Sequence, residues 1–433
     1  MAWENYPVPQ SEKGAVRDAG EWWIDDSEET PELRWPLSVK VFGRMRREEA
    51  QIASVLRAVK MPIRRTQRRL NGAGCRPEVV QLVADDLGLP VVGEKDAAPR
   101  RTRDRFSFAE HLRLALTALD FGHSVFEQTY RVEGERFRLR KLGWRPPRTI
   151  GRWDEAADGG LVAVEQNLLA GKTARLEVAR LVVYCHEREE SWIGQSLLRP
   201  AYKYWILKDQ LLRGNQTTII RNGMGVPTVT APPLPEHLKS DPTAAAAWMQ
   251  EQIDAGLVVT KQLRGGDNTG VSLANGGQLS MKGVEGKLPD ALPTIRYHDE
   301  QMARSVLAHV LNLGGADSTS SYALGSTLND LFTESLQGTS DWVDGVVNEH
   351  VIEDLVDVNF GPDEPAPRLV SDRIGAALSA EALKSLVDAG VITPDDRLEN
   401  FTREAYGLPV ADKSTARTTP AAPAAPQEAT DAA

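Results

Sequence analysis

An α+β fold is what this sequence predicts, and three observations carry the prediction. Three long stretches, 196–222, 295–313 and 327–359, repeat apolar residues at helical spacing. Between residues 125 and 184, short runs of aliphatic and aromatic residues are cut by Gly, Pro and Asp, the pattern of a small antiparallel sheet. A Pro- and Gly-rich block, 223–294, parts the first long stretch from the second and reads as a small α/β module.

Composition bounds the possibilities. The chain has 433 residues, enough for two or three domains. A net charge of -10 argues against wholesale coating of nucleic acid or anionic membrane, and still leaves room for local basic patches. Cys75 and Cys185 form neither a CxxC pair nor a metal spacing, so reduced, buried thiols in a cytosolic compartment are expected. No apolar run approaches the roughly 18 residues of a membrane span. The N-terminus lacks the charged and apolar regions of a signal peptide, so none is expected.

Residues 1–35 are rich in Glu, Asp and Pro, with Trp3, Trp22, Trp23 and Trp35 scattered through them. Without periodicity, they read as an extended arm that orders only against a neighbour, its aromatics serving as docking points. Residues 40–70 hold a basic cluster: Arg44, Arg46, Arg47, Arg57, Lys60, Arg64, Arg65, Arg68 and Arg69. Nucleic-acid binding and a solvated face are both open there. Ile52, Val55, Leu56 and Val59 give helical spacing, Pro62 should end that helix, and a strand over 61–70 should follow. A helix over 77–87 begins with Pro77 and stops at Gly88. Another over 106–121 is closed by Gly122, and strands follow over 125–132, 137–142, 161–167 and 181–184. Gly171-Lys172-Thr173 imitates the end of a phosphate-binding loop, but Gln166 stands where that motif requires its first Gly, so a hairpin turn is the reading.

The 196–222 helix has Ser196 as its expected N-cap, Pro200 in its first turn and Gly223 beyond its end. It would run about 40 Å. Arg199, Lys203, Arg213 and Arg221 fall within an arc of roughly 80°, and Lys208 points the other way. Leu198, Tyr202, Trp205, Leu212 and Ile220 form an apolar band beside that stripe. Such a helix packs sideways on neighbours and shows positive charge to something negative, with a solvated basic face as the plainer alternative.

The module that follows should contain a helix over 242–255 and strands over 257–260, 271–273 and 279–281. In the 295–313 helix, Met302, Val306, Val310 and Leu313 share one face. His298, Asp299 and Glu300 are consecutive, so they fan around that helix and cannot converge on a metal or substrate, and His309 has an apolar setting. Residues 314–326 are small and polar and read as a mobile loop. The 327–359 helix should break near Gly338 or Gly345, and Phe360-Gly361-Pro362 should stop it. Residues 379–406 read as two short helices, the first from Ser379 to Gly390, the second from Thr393-Pro394 to Gly407. Asp395, Asp396, Glu399 and Glu404 make the second a poor partner for phosphate, so a structural pair is preferred to a DNA reader. The tail from Ala411 reads as disordered.

The order of these pieces, with several motifs inside them, resembles the bacteriophage portal proteins and among them the Mu-like portal family. LDFGHSVFEQTYRVEGERFRLRKLGWRPP from Leu119 is similar to the family's wing sheet. GQSLLRPAYKYWILKDQLLR from Gly194 is similar to the segment leading into its stem, and RNGMGVP from Arg221 to the exit from that helix. IEDLVDVNFGPDEPAPRL from Ile352 is similar to the end of the wing helix. The resemblance covers about residues 40–410. It implies a portal fold: N-terminal arm 1–35, wing 36–193, stem helix 194–222, clip 223–294, second stem helix 295–313, tunnel loop 314–326, wing helix 327–370, crown 371–410 and tail 411–433.

The same resemblance implies a homo-oligomeric ring, as a rule of twelve, at one capsid vertex of the virion, with the host cytoplasm as its place of assembly. Double-stranded DNA would pass through the channel in packaging and ejection. The implied partners are the terminase large subunit, the major capsid or scaffolding protein and a head–tail adaptor. No membrane, cofactor, metal or catalytic residue is implied. Candidate channel residues are Arg199, Lys203, Arg213 and Arg221, facing either the lumen or the neighbouring subunit, and Ser318, Thr319, Ser320, Ser321 and Tyr322 in the loop. Two other classes are weighed against this. A nuclease or ATPase would need a carboxylate cluster or a complete phosphate loop, and neither is found. A monomeric or dimeric scaffold of a phage-derived particle differs from a packaging ring in oligomer size.

Overall fold

The computed structural model describes residues 28–94, 106–189, 191–224, 226–262, 272–273, 276–282, 290–307 and 322–375, with isolated positions between 383 and 403. Two units are distinguished, residues 1–374 and 375–433.

The first unit opens on α1 (Leu37–Glu48) and α2 (Ala50–Arg65), parted by Glu49. The Glu49 backbone leaves the helix, and its carboxylate accepts the Gln51 N–H as the N-cap of α2. Ile52, Val55, Leu56, Val59 and Ile63 recur every three or four residues and are all buried. Pro62 does not end α2 as expected. It lies in the last turn, where a missing N–H forfeits one bond, and the helix runs on to Arg65. The strand expected over 61–70 is therefore short, β1 (Arg68–Asn71). α3 (Pro77–Leu87) is bounded as predicted, with Gly88 left-handed at φ 68.

The helix expected over 106–121 is two pieces, α4 (Phe108–Ala115) and α5 (Ala118–Phe121). Thr117 breaks it: its hydroxyl donates to the Leu114 carbonyl at 2.6 Å. Two three-stranded antiparallel sheets follow, where the sequence suggested one. The first contains β2 (His123–Glu133) and β3 (Arg136–Arg145); the second contains β4 (Ile150–Glu155), β5 (Leu161–Asn167) and β6 (Thr173–Glu177). β7 (Leu181–Cys185) returns to the first sheet, giving the orders β3-β2-β7 and β4-β5-β6. Gly171-Lys172-Thr173 lies in the β5–β6 hairpin, as expected of a turn.

α6 (Tyr202–Met224) starts later than its expected cap. Residues 197–201 form a tight turn with i→i+3 bonds, and Ser196 caps that turn through the Leu198 N–H. Then come β8 (Val226–Thr230), α7 (Pro242–Gln262) and β9 (Gln278–Lys282), with β8 and β9 paired antiparallel. The strand expected over 257–260 is the end of α7. Gly256 lies against Val229 and Val259 is half-buried, so packing on β8 overrides the β-branched run. Leu273, in the strand expected over 271–273, is not in a strand, and Val271 lies outside the described residues.

α8 (Leu292–Leu307) buries Met302 and Val306 as predicted, while His309, Val310 and Leu313 lie outside the described residues. α9 (Tyr322–Val347) begins inside the stretch read as a loop. Its break comes at neither Gly338 nor Gly345. A wide π turn, Asn348–Ile352, leads into α10 (Glu353–Phe360), which Gly361 ends. Outside partners hold that turn open. The Gln128 amide donates to the His350 carbonyl at 2.7 Å, and the Asn348 amide binds both backbone groups of Leu369 in β10 (Arg368–Ser371), the partner of β1. In the second unit Gly390, where the first short helix was expected to end, is left-handed and closes a turn on the Val387 carbonyl. There Asp395, not Thr393, accepts the Leu398 N–H as a cap, and Ser379 and Gly407 lie outside the described residues. Cys75 and Cys185 are free and only half-buried, against the buried thiols expected.

One buried ion pair ties the ends of the first unit together. Arg68 in β1 donates to Asp344 at 2.7 Å and to Ser340 at 2.8 Å, both on α9. Arg68 and Asp344 are 2 % and 6 % exposed, so the pair is shielded from water on both sides. Asp344→Ala would strand the guanidinium and should cost about 3 kcal/mol of unfolding free energy. Glu48→Ala, at an exposed pair on α1, should stay within about 0.5 kcal/mol. Urea unfolding followed by circular dichroism measures both.

Candidate nucleic-acid interface

Two glycines set the start of α6. A Cβ on Gly122 would lie 2.5 Å from the Ile193 carbonyl oxygen, and one on Gly194 would lie 2.3 Å from that of Gly122. Both have positive φ, so backbone meets backbone where no side chain fits. The end of α5 and the segment that enters α6 are stitched there. The Ser196 hydroxyl donates to Asp120 O at 2.6 Å, and the Leu197 N–H donates to Leu119 O at 3.0 Å.

Beyond that anchor the rotation of α6 is set by Lys208. Its ammonium, 11 % exposed, reaches Glu49 between α1 and α2 at 2.7 Å and Asp299 on α8 at 2.6 Å. Burial pulls the Lys208 pKa down, but hydrogen bonds and charge from Asp299 and Glu49 outweigh it and leave it raised. Tyr204, Lys208, Leu211, Asn215 and Thr218 are all half-buried and follow a four–three spacing, so one seam of α6 turns inward. Tyr204 packs near Tyr297 and His298 of α8, with ring centres 6.4 and 6.1 Å away.

The predicted basic stripe lies on the other side of α6, as Lys208 pointing inward requires. Its members are not bare. Arg199 forms a two-pronged ion pair with Glu28, one prong at 2.8 Å. Burial alone would raise the Glu28 carboxyl, but Arg199 and the Thr30 N–H hold it below its ordinary value. Arg213 pairs with Asp209 one turn earlier at 2.7 Å and is 77 % exposed. The Lys203 ammonium lies 4.7 Å from the Tyr204 ring centre. The side chain of Arg221 lies outside the described residues, as do Ser318, Thr319, Ser320 and Ser321 and the side chain of Tyr322, whose backbone opens α9. The apolar band splits: Leu198 and Tyr202 are buried and Trp205 is half-buried, whereas Leu212 and Ile220 are exposed.

The 40–70 cluster divides in the same way. Arg46 and Lys60 both bind Asp120, which is fully buried. Arg68 is internal, Arg44 and Arg69 pair with Glu48 and Asp372, and Arg47, Arg57, Arg64 and Arg65 are exposed. His298, Asp299 and Glu300 point three ways: His298 is buried, Asp299 binds Lys208 and Glu300 faces solvent. A feature the sequence reading passed over is the exposed face of α8, where Arg296, Glu300 and Arg304 recur every four residues. The spacing is visible in the sequence, where only the apolar face of this helix was read.

The matching family is the portal protein of Mu bacteriophage, over residues 39–408. The chain belongs to the Mu bacteriophage portal protein family. Solved structures agree with that fold. The virion of a native gene transfer agent particle matches with TM-score 0.50 at 12% identity, covering 86% of this chain and 94% of the other. The neck of the empty particle, computed with C6 symmetry, gives 0.53 at 13% identity with the same coverage. The native neck, computed with C12 symmetry, gives 0.50 at 13%. In this portal-family chain, α6 and α8 are long helices that pack on one another through the Lys208–Asp299 pair and the Tyr204 ring contacts.

Lys208→Met would leave two carboxylates facing each other at the junction of three helices. It should cost about 2 kcal/mol at pH 7. Because the folded pKa of Lys208 is raised, its contribution is complete below the ordinary lysine range near 10.4 and fades as pH climbs through the folded value. Unfolding of both proteins in urea between pH 7 and 11 should show a constant gap that narrows only at the alkaline end.

Proposed function

We propose that this chain forms a portal ring at one vertex of a phage-type capsid, with double-stranded DNA passing along its axis. The observation that carries the reading is the α6–α8 pair. Lys208 and the Tyr204 seam close one face of α6, while the far half keeps Leu212, Ile219 and Ile220 exposed at 43–57%. Among the described residues nothing covers that surface in a lone subunit, and a repeated head-to-tail contact that closes into a ring would. Family membership and the neck structures computed with C6 and C12 symmetry support the same assembly.

On this reading residues 36–193 with 327–370 are the wing, α6 and α8 the stem, 223–294 the clip, 314–326 the tunnel loop and 371–410 the crown. The clip faces the terminase large subunit and then a head–tail adaptor; the wing meets the major capsid or scaffolding protein. The exposed α8 face and the tunnel-loop residues Ser318 to Tyr322 line the channel. Of the two sides left open for the α6 stripe, its ion pairs with Glu28 and Asp209 favour a protein neighbour over DNA.

Light scattering and negative-stain imaging test the ring. Twelve subunits of 47.6 kDa give about 570 kDa and a particle with a central hole. A chain that stays monomeric even with capsid proteins added would sink the proposal. Arg296→Glu with Arg304→Glu should leave ring mass unchanged and cut DNA packaged per particle about tenfold, because two phosphate contacts per subunit become repulsions.

A further inference from the structure

We propose that the outward face of α2, built on Arg57, Arg64 and Arg65, holds the phosphate backbone of duplex DNA at a place apart from the channel. This surface is on a different helix from the α6–α8 pair, so it holds or fails on a monomer as on a ring. The residues of the 40–70 basic cluster have different fates. Arg46 and Lys60 are taken up by Asp120, and Arg68 by Asp344, inside the fold. Arg57, Arg64 and Arg65 are exposed, and among the described residues none of them has a hydrogen bond or an ion pair. Arg199 and Arg213 on α6, by contrast, are each matched by a carboxylate.

Helical geometry turns the three together. Arg57 and Arg64 are two turns apart, about 10 Å along the axis and about 20° around it. Arg65 lies about 80° from Arg57, and Met61 falls between them. The arc they define is opposite the buried seam of Ile52, Val55, Leu56, Val59 and Ile63. The ground beside it is positive as well. Arg46 and Lys60 share the one carboxylate of Asp120, which leaves a positive charge over. Burial lowers the Lys60 pKa, and repulsion from Arg46 and Arg113 adds to that against the pull of Asp120. Glu110 on α4 feels Arg64, but its oxygens are held by Arg113, one at 2.7 Å.

Such a face fits a polyanion better than a protein. A protein partner would need an apolar centre, and among the described residues of the arc only Met61, 40% exposed, is large and apolar. A phosphate backbone needs cations, and each guanidinium can meet two of its oxygens at once. Nothing in the arc has to read a base, so binding should follow charge and not sequence.

The test is filter binding of relaxed, covalently closed circular duplex DNA by the full chain, because such a circle cannot thread a closed ring. The wild type should bind it. Arg57→Gln, Arg64→Gln and Arg65→Gln together should weaken binding about tenfold or more at 50 mM salt. The plot of log affinity against log salt should become shallower by about 2.7 for each subunit engaged, at about 0.9 per lost contact. The conservative set Arg57→Lys, Arg64→Lys and Arg65→Lys should keep the wild-type slope, which separates lost charge from lost fold. No binding of the circle, equal binding by the wild type and the neutral triple variant, or loss of binding in the lysine set would overturn the proposal. So would displacement of the DNA by polyglutamate at equal charge concentration, which would give the face to an acidic protein instead.

Discussion

Lys208 is the point on which the long-helix pair depends. One ammonium, nearly out of water, meets two carboxylates from two other parts of the chain. Such an ion is tolerated in a low-dielectric setting only where partners are well placed, so the position of Glu49 and Asp299 limits how α6 can rotate. Glu49 serves twice, since the same oxygen that binds Lys208 also accepts the Gln51 N–H and starts α2. Helix start and helix register are thus joined in one side chain, and every outward face of α6 follows from that inward one.

The consequences change along α6. Near its start, the facing glycines and the Asp120 and Leu119 carbonyls hold the backbone itself. Toward its end, Ile219 and Ile220 have solvent where a core would be. A helix of 23 residues gains most of its stability from tertiary burial, so a far half left bare is costly for an isolated subunit. The proposed ring turns that deficit into a driving force for assembly, and the same bare surface is a reason for a separate subunit to associate wrongly.

Much of this was legible in the sequence, and the failures share a cause. Caps and stops at Gly88, Gly122 and Gly361 came through because they depend on local backbone chemistry. The opposed faces of Lys208 and the basic stripe came through because helical periodicity is geometry. β6 was missed because only Leu176 in it is buried, which leaves no alternation to see. The π turn was missed because Gln128 and Asn348 hold it, one from 222 residues away. The ion pairs of Arg199 and Lys208 were equally hidden, since Glu28, Glu49 and Asp299 are neighbours only in the folded chain.

Those hidden pairs matter for what a ring around DNA can do. Each Lys or Arg that meets a phosphate steepens the salt dependence of binding, with a slope near 0.9 per contact on a log–log scale. In a ring every contact is multiplied by the number of subunits, so a residue that is harmless once becomes a brake when repeated. Arg199 and Arg213 are each matched by a carboxylate, and Arg296 and Arg304 are parted by Glu300 on one exposed face. A channel lined by the α8 face, as proposed, would present alternating charge along that helix and not an unbroken basic wall. In the proposed ring, that arrangement would guide a polyanion along the axis while denying it a position of strong binding, the electrostatic condition for DNA to slide.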